Sequence, residues 1–401
     1  MAVGPDLDAP ALFQTYIQRT VQAALEQLEG SGTALPFDDD RDLALHTLTF
    51  ALELPTAWDD TSRLLMTLAP KMEQAGFRSE WMALLDEGIQ TSQRRGDRRT
   101  EGELRLQKGV LCQFLTDYDG AAEQFGLSER CFRVSGDARA RARVWNRQAS
   151  LARRQGKQEE AGRLVAAALE VLQDADAELG YSYLVLGLIA LDERRWPEAV
   201  ENFEVALRLF ERADAQRYQA WCHSNLGLVR WYQGELELAE NHLLRAIGLF
   251  ERIGDPIHRG SALINLGNVY IDRGQPASAL ACYGEAEPIF RQAQDTLNQA
   301  MIYNNMGKAY REMGRFGEAL PVCQRSVALF GQLPGLFNHL NAMEGLGETY
   351  LALECFGDAQ GVFEAILRQL PGMDNVERRA KMEARMNVYL EGIGRAREAR
   401  R

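Results

Sequence analysis

Apolar side chains return along this chain at three- and four-residue intervals, in blocks that come in pairs. Leu263, Leu266 and Tyr270 make one block, and Leu280, Tyr283 and Phe290 make the next. That spacing marks one face of a helix. Between blocks lies a short breaker, Arg-Gly-Gln-Pro at 273–276 or Met-Gly-Arg-Phe at 313–316. Gly274 and Gly314 suit the residue that ends a helix, and Pro276 and Pro197 suit the first turn of the next one. No segment alternates β-branched and polar residues as a strand would. The pattern predicts antiparallel helix pairs.

The pairs repeat. The segments 225–251, 265–291 and 305–331 align without gaps, and Gly187, Gly227, Gly267, Gly307 and Gly347 stand 40 residues apart. Twelve residues after each comes an alanine, at 199, 239, 279, 319 and 359, and seven further on lie Ala206, Ala246, Ala286 and Ser326. Upstream the register persists as Ala149, Ala161 and Ala168, and as Gly109, Ala121 and Ser128, with one 38-residue step from Ala149 to Gly187. Small residues at fixed intervals let two helices approach closely, and Leu226, Leu266, Tyr310 and Tyr350 are the bulky residues expected to fill the remaining space. A unit of this kind buries its apolar face only against its neighbours, so the fold expected is an all-α solenoid.

The order Leu-Gly-x-x-Tyr, Ala, aromatic, Ala resembles the tetratricopeptide repeat (TPR), over about residues 60–400 and most strongly over 180–365. The usual period is ~34 residues. Units of 40 look like those of bacterial peptide receptors of the Rap type, kinesin light chains and the sensor arrays of signalling ATPases. The resemblance implies a right-handed superhelix of helix pairs whose first helices line a concave groove. Outside the repeat, 12–28 and 43–54 read as two amphipathic helices, joined through Gly30-Ser31-Gly32 and an acidic turn at 38–42. The division expected is an N-terminal helical cap or small helical module over 1–60, an array of about seven or eight repeats over 61–375, and a C-terminal capping helix with a basic, frayed tail over 376–401.

Charge sharpens the picture. The chain of 401 residues carries a net −12, which disfavours nonspecific nucleic-acid binding. The charge is uneven: residues 1–90 are net −10, 91–163 net +6 and 164–401 net −8. No apolar run reaches the ~18 residues of a membrane span, and the acidic N-terminus is unlike a secretory signal. Six cysteines without a CxxC suggest a reducing, cytoplasmic setting.

Catalytic signatures are missing from the sequence: no GxxxxGK[ST], no HExxH, no GxGxxG after a strand. His223 takes the place of Leu263 and Tyr303 in neighbouring units, which reads as packing, and Cys282 and Cys323 fall on packing positions of second helices. The expectation is therefore a non-enzyme without cofactor or metal, and the candidates are surface residues. The TPR resemblance places groove-facing side chains two, three and six residues before the marked glycine and one, four and five after it. These include Trp221, Ser224 and Asn225; Ser261, Asn265, Asn268 and Asp272; Met301, Asn304, Asn305, Lys308 and Arg311; and Asn341, Glu344 and Glu348. Asn225, Asn265 and Asn305 recur every 40 residues, and an amide that both donates and accepts can hold an extended peptide backbone whatever its sequence. Asn268 with Asn305 resembles half of the carboxylate clamp of chaperone-binding TPR domains, which needs a lysine where this chain has Ile264. In the basic segment, Arg143, Asn146, Arg153 and Arg154 fall on the same face, where guanidinium groups can grip carboxylates.

Function follows as an expectation: a scaffold binding a partner protein or an extended, acidic peptide in its groove, with no nucleic-acid or membrane partner. The alternatives are a peptide-gated regulator of the Rap kind, or a sensor or scaffold subunit of a signalling or defence complex.

Overall fold

The computed structural model describes residues 9–30, 38–75, 78–172 and 177–398. Among these there are nineteen α-helices and no strand. They fall into two compact units, residues 1–229 with 249–255, and residues 230–248 with 256–401. The division passes through two helices, α11 (Gln216–Tyr232) and α12 (Leu236–Ile253).

The first unit begins with α1 (Ala9–Gly30), α2 (Asp38–Ala51), α3 (Trp58–Ala75) and α4 (Arg78–Arg95). Helix pairs follow: α5 (Arg98–Phe114) with α6 (Tyr118–Ser135), α7 (Ala138–Arg154) with α8 (Gln158–Val171), and α9 (Ala177–Asp192) with α10 (Trp196–Arg212). Helices α1 and α2 share one core with α3, α4 and α5, through Val21, Leu25, Leu48, Leu64, Trp81 and Leu104. The acidic run at 38–42 opens α2 instead of forming a turn. The Gly-Ser-Gly segment lies, after Gly30, outside the described residues.

The second unit contains α13 (Pro256–Asp272) with α14 (Pro276–Gln292), α15 (Thr296–Glu312) with α16 (Phe316–Phe330), α17 (Leu336–Ala352) with α18 (Phe356–Gln369), and α19 (Val376–Glu398). The tail is helical as far as Glu398, and Arg397 donates to Gln360 Oε1 at 2.6 Å, so 395–398 do not fray. Residues 399–401 lie outside the described residues.

The small residues of the repeat do what their spacing implies. Ala121, Ala161, Ala199, Ala279, Ala319 and Ala359 are fully buried, as are Ala168, Ala206, Ala286, Ser128 and Ser326. Large residues sort by place: Leu226 and Leu266 are buried, whereas Tyr310 and Tyr350 are half-buried. Ser128 and Ser326 use their hydroxyls on Gly102 O and Ala300 O of the preceding helix. Turns are equally regular. Gly136 takes φ +72° and Asp137 accepts from Ala140 N–H at 2.9 Å, so one residue ends α6 and the next caps α7. Asp97 and Asp295 cap α5 and α15 in the same way.

Two caps and turns in the first unit make its stability pH-dependent. Burial pushes the Glu101 carboxyl up, but hydrogen bonds from Gln93, Arg98 and Arg105 outweigh it and hold the group below its ordinary value. Burial likewise opposes Asp97, which Thr100 N–H, the Trp58 indole and Arg99 N–H hold low. A depressed carboxylate stabilises the fold above its unfolded pKa and loses that contribution as pH falls through the folded one. Denaturation midpoints of the first unit should therefore drop between about pH 5 and about pH 3. Asp97→Asn with Glu101→Gln should flatten that slope, and an unchanged slope would refute the assignment.

Candidate partner-binding groove

The first helices α13, α15 and α17 present a polar face in the second unit, and a cavity of about 200 Å³ opens on it. Its lining is Trp231, Asn268, Ile271, Asp272, Tyr283, Asn305 and Lys308. Asn268 Oδ1 accepts two hydrogen bonds, from Tyr283 Oη at 2.8 Å and from Asn305 Nδ2 at 2.9 Å. Both lone pairs of that carbonyl are thus committed, which fixes the amide flip and leaves Asn268 Nδ2 as the donor available to a ligand. Burial pushes the Tyr283 hydroxyl up, so it stays a donor across ordinary pH. Trp231 Nε1 donates to Asp272 Oδ2 at 2.7 Å, closing one wall. Lys308 is half exposed, with Glu312 Oε1 at 3.9 Å.

At α17 the polar face is already engaged. Arg385 of α19 forks Glu344 at 2.7 and 2.8 Å, and Tyr389 donates to Glu348 Oε1 at 2.6 Å. Arg311 is held from the other side by Gly345 O at 3.1 Å and Glu348 Oε2 at 3.2 Å. Arg385 follows Glu344 by 41 residues, the separation of Trp231 from Asp272, so α19 stands where the first helix of another pair would. Glu344, Glu348 and Arg311 therefore serve the array, and of the expected residues here Asn268, Asn305 and Lys308 line the cavity. Asn265 is half-buried on the same helix as Asn268.

In the first unit the basic segment is mostly self-neutralised. Arg143 pairs with Glu103, Arg147 with Glu178, Arg153 with Asp192 and Arg141 with Glu129. Asn146, expected on the groove face, is fully buried: its Nδ2 donates to Glu178 O at 3.1 Å and its Oδ1 accepts from Ser182 at 2.9 Å. The reason is that α9 packs against α7 and brings Glu178 and Ser182 onto the amide. Asn225 turns its Nδ2 back to Trp221 O at 2.8 Å, within its own helix. Arg154 is exposed. Tyr283 and Trp231 were not among the expected contributors to Asn268's surroundings. Tyr283 had a signal, as the one hydroxylated ring in the series Phe125, Phe203, Tyr283 and Phe363 that covers the marked glycines.

Nucleophilic chemistry finds no support in the cysteines. Five of the six are buried, and burial pushes Cys112, Cys131 and Cys222 up and Cys282 up to about 11. His223 is buried, on the packing position read from the repeat. Among the described residues no three His, Cys, Asp or Glu converge as a metal site, and no helix is long and apolar enough to cross a membrane.

Residues 178–252, 218–292 and 298–371 match the family model of the tetratricopeptide repeat. Those segments are tetratricopeptide repeats. No curated protein matches its sequence. Among solved structures, the TPR fold here is similar to the signal-transduction ATPase with numerous domains (STAND) protein with a tetratricopeptide repeat sensor from Pyrococcus horikoshii, at TM-score 0.60 and 14% identity over 90% of this chain. This chain spans 50% of that protein's length. The apo form of RapI is similar at TM-score 0.60 and 13% identity, covering 72% of this chain and 81% of RapI. A Rap protein complexed with Competence and Sporulation Factor is similar at TM-score 0.54 and 13% identity, covering 83% of this chain and 98% of that one.

Proposed function

We propose that this chain is a non-catalytic interaction module that binds a partner protein, through an extended segment laid across α13 and α15. The observation that carries the reading is the Asn268 amide, whose orientation Tyr283 and Asn305 fix before any ligand arrives. Asn268 Nδ2 donates to a backbone carbonyl of the segment, and Lys308 pairs with an acidic side chain or terminal carboxylate beside it. Pre-set donors of this kind avoid part of the ordering cost of binding. The Rap protein complexed with Competence and Sporulation Factor supports the reading by analogy of fold. A second reading, a sensor arm working on a catalytic partner chain, is favoured by the recurrence of 90% of this chain's fold in half of the STAND protein.

The test is selection from an array of acidic and neutral 12-residue peptides, followed by affinity measurements on variants. One amide hydrogen bond contributes about 1–1.5 kcal/mol, so Asn268→Ala should weaken the selected peptides about tenfold. Lys308→Ala, an exposed change without structural burden, should weaken acidic peptides alone. Peptides that bind both variants as they bind the natural chain would place the partner elsewhere.

A further inference from the structure

The helices α1 and α2 bury one face each in the core they share with α3, and leave the opposite face uncovered. On α1 the uncovered residues are Leu12, Phe13 and Tyr16, 51%, 47% and 63% exposed; on α2 they are Leu43 and Phe50, 47% and 39% exposed. Five of the fifteen large apolar side chains exposed among the described residues thus lie on two adjacent helices. They are contiguous. Phe13 and Phe50 meet edge-to-face with centroids 5.9 Å apart, and His46 meets Phe50 at 5.1 Å. Leu43, His46 and Phe50 follow one another at the three- and four-residue steps of a single helix stripe, as Leu12 and Tyr16 do on α1. Scattered apolar residues are ordinary on a surface, but an aromatic patch spanning two helices marks an interaction site.

The charge around the patch selects its occupant. Residues 9–60 contain nine acidic and two basic side chains. Asp42, 66% exposed and paired with Arg41 through one oxygen at 2.9 Å, precedes Leu43 at one end of the stripe, and Glu53 lies exposed three residues beyond Phe50 at the other. A second copy of the chain would bring the same acidic surroundings against this one. Nucleic acid and anionic lipid surfaces are repelled for the same reason. An apolar stripe flanked by carboxylates complements a helix with the reverse arrangement, aliphatic on one side and Lys/Arg along its edges. We propose that the outer face of α1 and α2 docks a basic amphipathic helix of a partner protein. The surface shares no residue with the cavity on α13 and α15, and the proposal does not depend on how that cavity is used.

The probe is a synthetic helix of about 18 residues, five turns, with Leu on one stripe and Lys elsewhere. A Leu/Glu counterpart and a scrambled Leu/Lys peptide serve as controls, and binding to the full chain is read by fluorescence anisotropy. The Leu/Lys helix should bind at least about tenfold more tightly than either control, and should weaken as salt rises and the Debye length shrinks. Phe13→Asp with Phe50→Asp should weaken it about tenfold or more. That direction is diagnostic, because the substitutions add negative charge and would strengthen a purely electrostatic association. Asp42→Lys with Glu53→Lys should abolish the salt dependence. Circular dichroism confirms that these surface variants keep their helices. Equal binding of the scrambled peptide, or affinity unmoved by the Phe changes, overturns the proposal. So does sedimentation as a dimer that Phe13→Asp with Phe50→Asp dissociates, which makes a second copy the occupant. A tenfold gain in probe affinity on deleting residues 1–8 overturns it too, since the chain's own terminus then covers the face.

Discussion

Gly267→Ala is expected to destabilise the second unit by roughly 1–3 kcal/mol, the range for an overpacked core, although alanine is the better helix former. A Cβ at Gly267 would sit 2.3 Å from Tyr283 Cε1 and 2.7 Å from Cζ, inside the closest approach of real carbon atoms. The ring cannot yield freely. Tyr283 is fully buried, and its hydroxyl is committed to Asn268 Oδ1 at 2.8 Å. Moving the ring also frees the Asn268 amide, so the variant should bind the selected peptides more weakly as well as melt earlier. Gly284→Ala supplies the opposite sign on the very next helix. Nothing lies within 4 Å of a Cβ there, so only the propensity gain remains, about 1 kcal/mol of added stability. Chemical denaturation followed by far-UV circular dichroism reads both. If the two glycines respond alike, the close helix approach at the marked position is misplaced.

The same pair of glycines shows why so much of the fold was legible. A marked glycine is required by one geometric fact, a side chain of the facing helix pressed against it, and at Gly109, Gly187, Gly267 and Gly347 that side chain is an aromatic ring. Gly109 carries Phe125, Gly187 carries Phe203 and Gly347 carries Phe363, while at Gly307 the smaller Cys323 takes the ring's place. Backbone constraints and packing constraints coincide at these positions, so they survive as a printed period. Polar contacts obey no such rule. Arg143 meets Glu103 forty residues away, Arg147 meets Glu178 thirty-one away, and Arg311 meets Glu348 thirty-seven away. Each pairing depends on the rotation and offset of one particular helix, and a register defined by glycines does not carry that information. Hence the helix register could be read from the sequence, but which polar side chains on the first helices a neighbouring helix engages could not. Asn146 and Asn268 are both amides on first helices; one is sealed by Ser182 and Glu178, and the other opens into a cavity.

Arg147 is a cation of the basic segment turned inward, and its loss should be costly to the first unit. Its guanidinium lies 3.6 Å from the centroid of Tyr181, and its two terminal nitrogens reach Glu178 at 3.0 and 3.4 Å. Tyr218 stacks on Phe210 with centroids 4.9 Å apart and meets Tyr181 edge-on at 5.7 Å. Burial pushes the Tyr218 hydroxyl up to about 12, so the box of rings stays neutral around Arg147. Although burial opposes its charge, the neighbouring Glu178, Tyr181 and Tyr218 raise the Arg147 pKa above the ordinary arginine value. With 12% and 19% of the two side chains exposed, the ion pair is partly screened, so the 3–5 kcal/mol typical of breaking a fully buried pair becomes about 2–4 kcal/mol for Arg147→Ala. In a unit of this size each kcal/mol lowers the melting temperature by about 2–4 °C. Arg147→Lys keeps the charge but loses the fork and the flat stacking face, so it should recover only part of the loss. Arg147→Met with Glu178→Gln should recover more, because it removes both charges and keeps the volume. A double-mutant cycle on denaturation midpoints separates the terms. Full stability in Arg147→Lys would show that charge alone holds the box, and that neither the fork to Glu178 nor the contact with Tyr181 contributes.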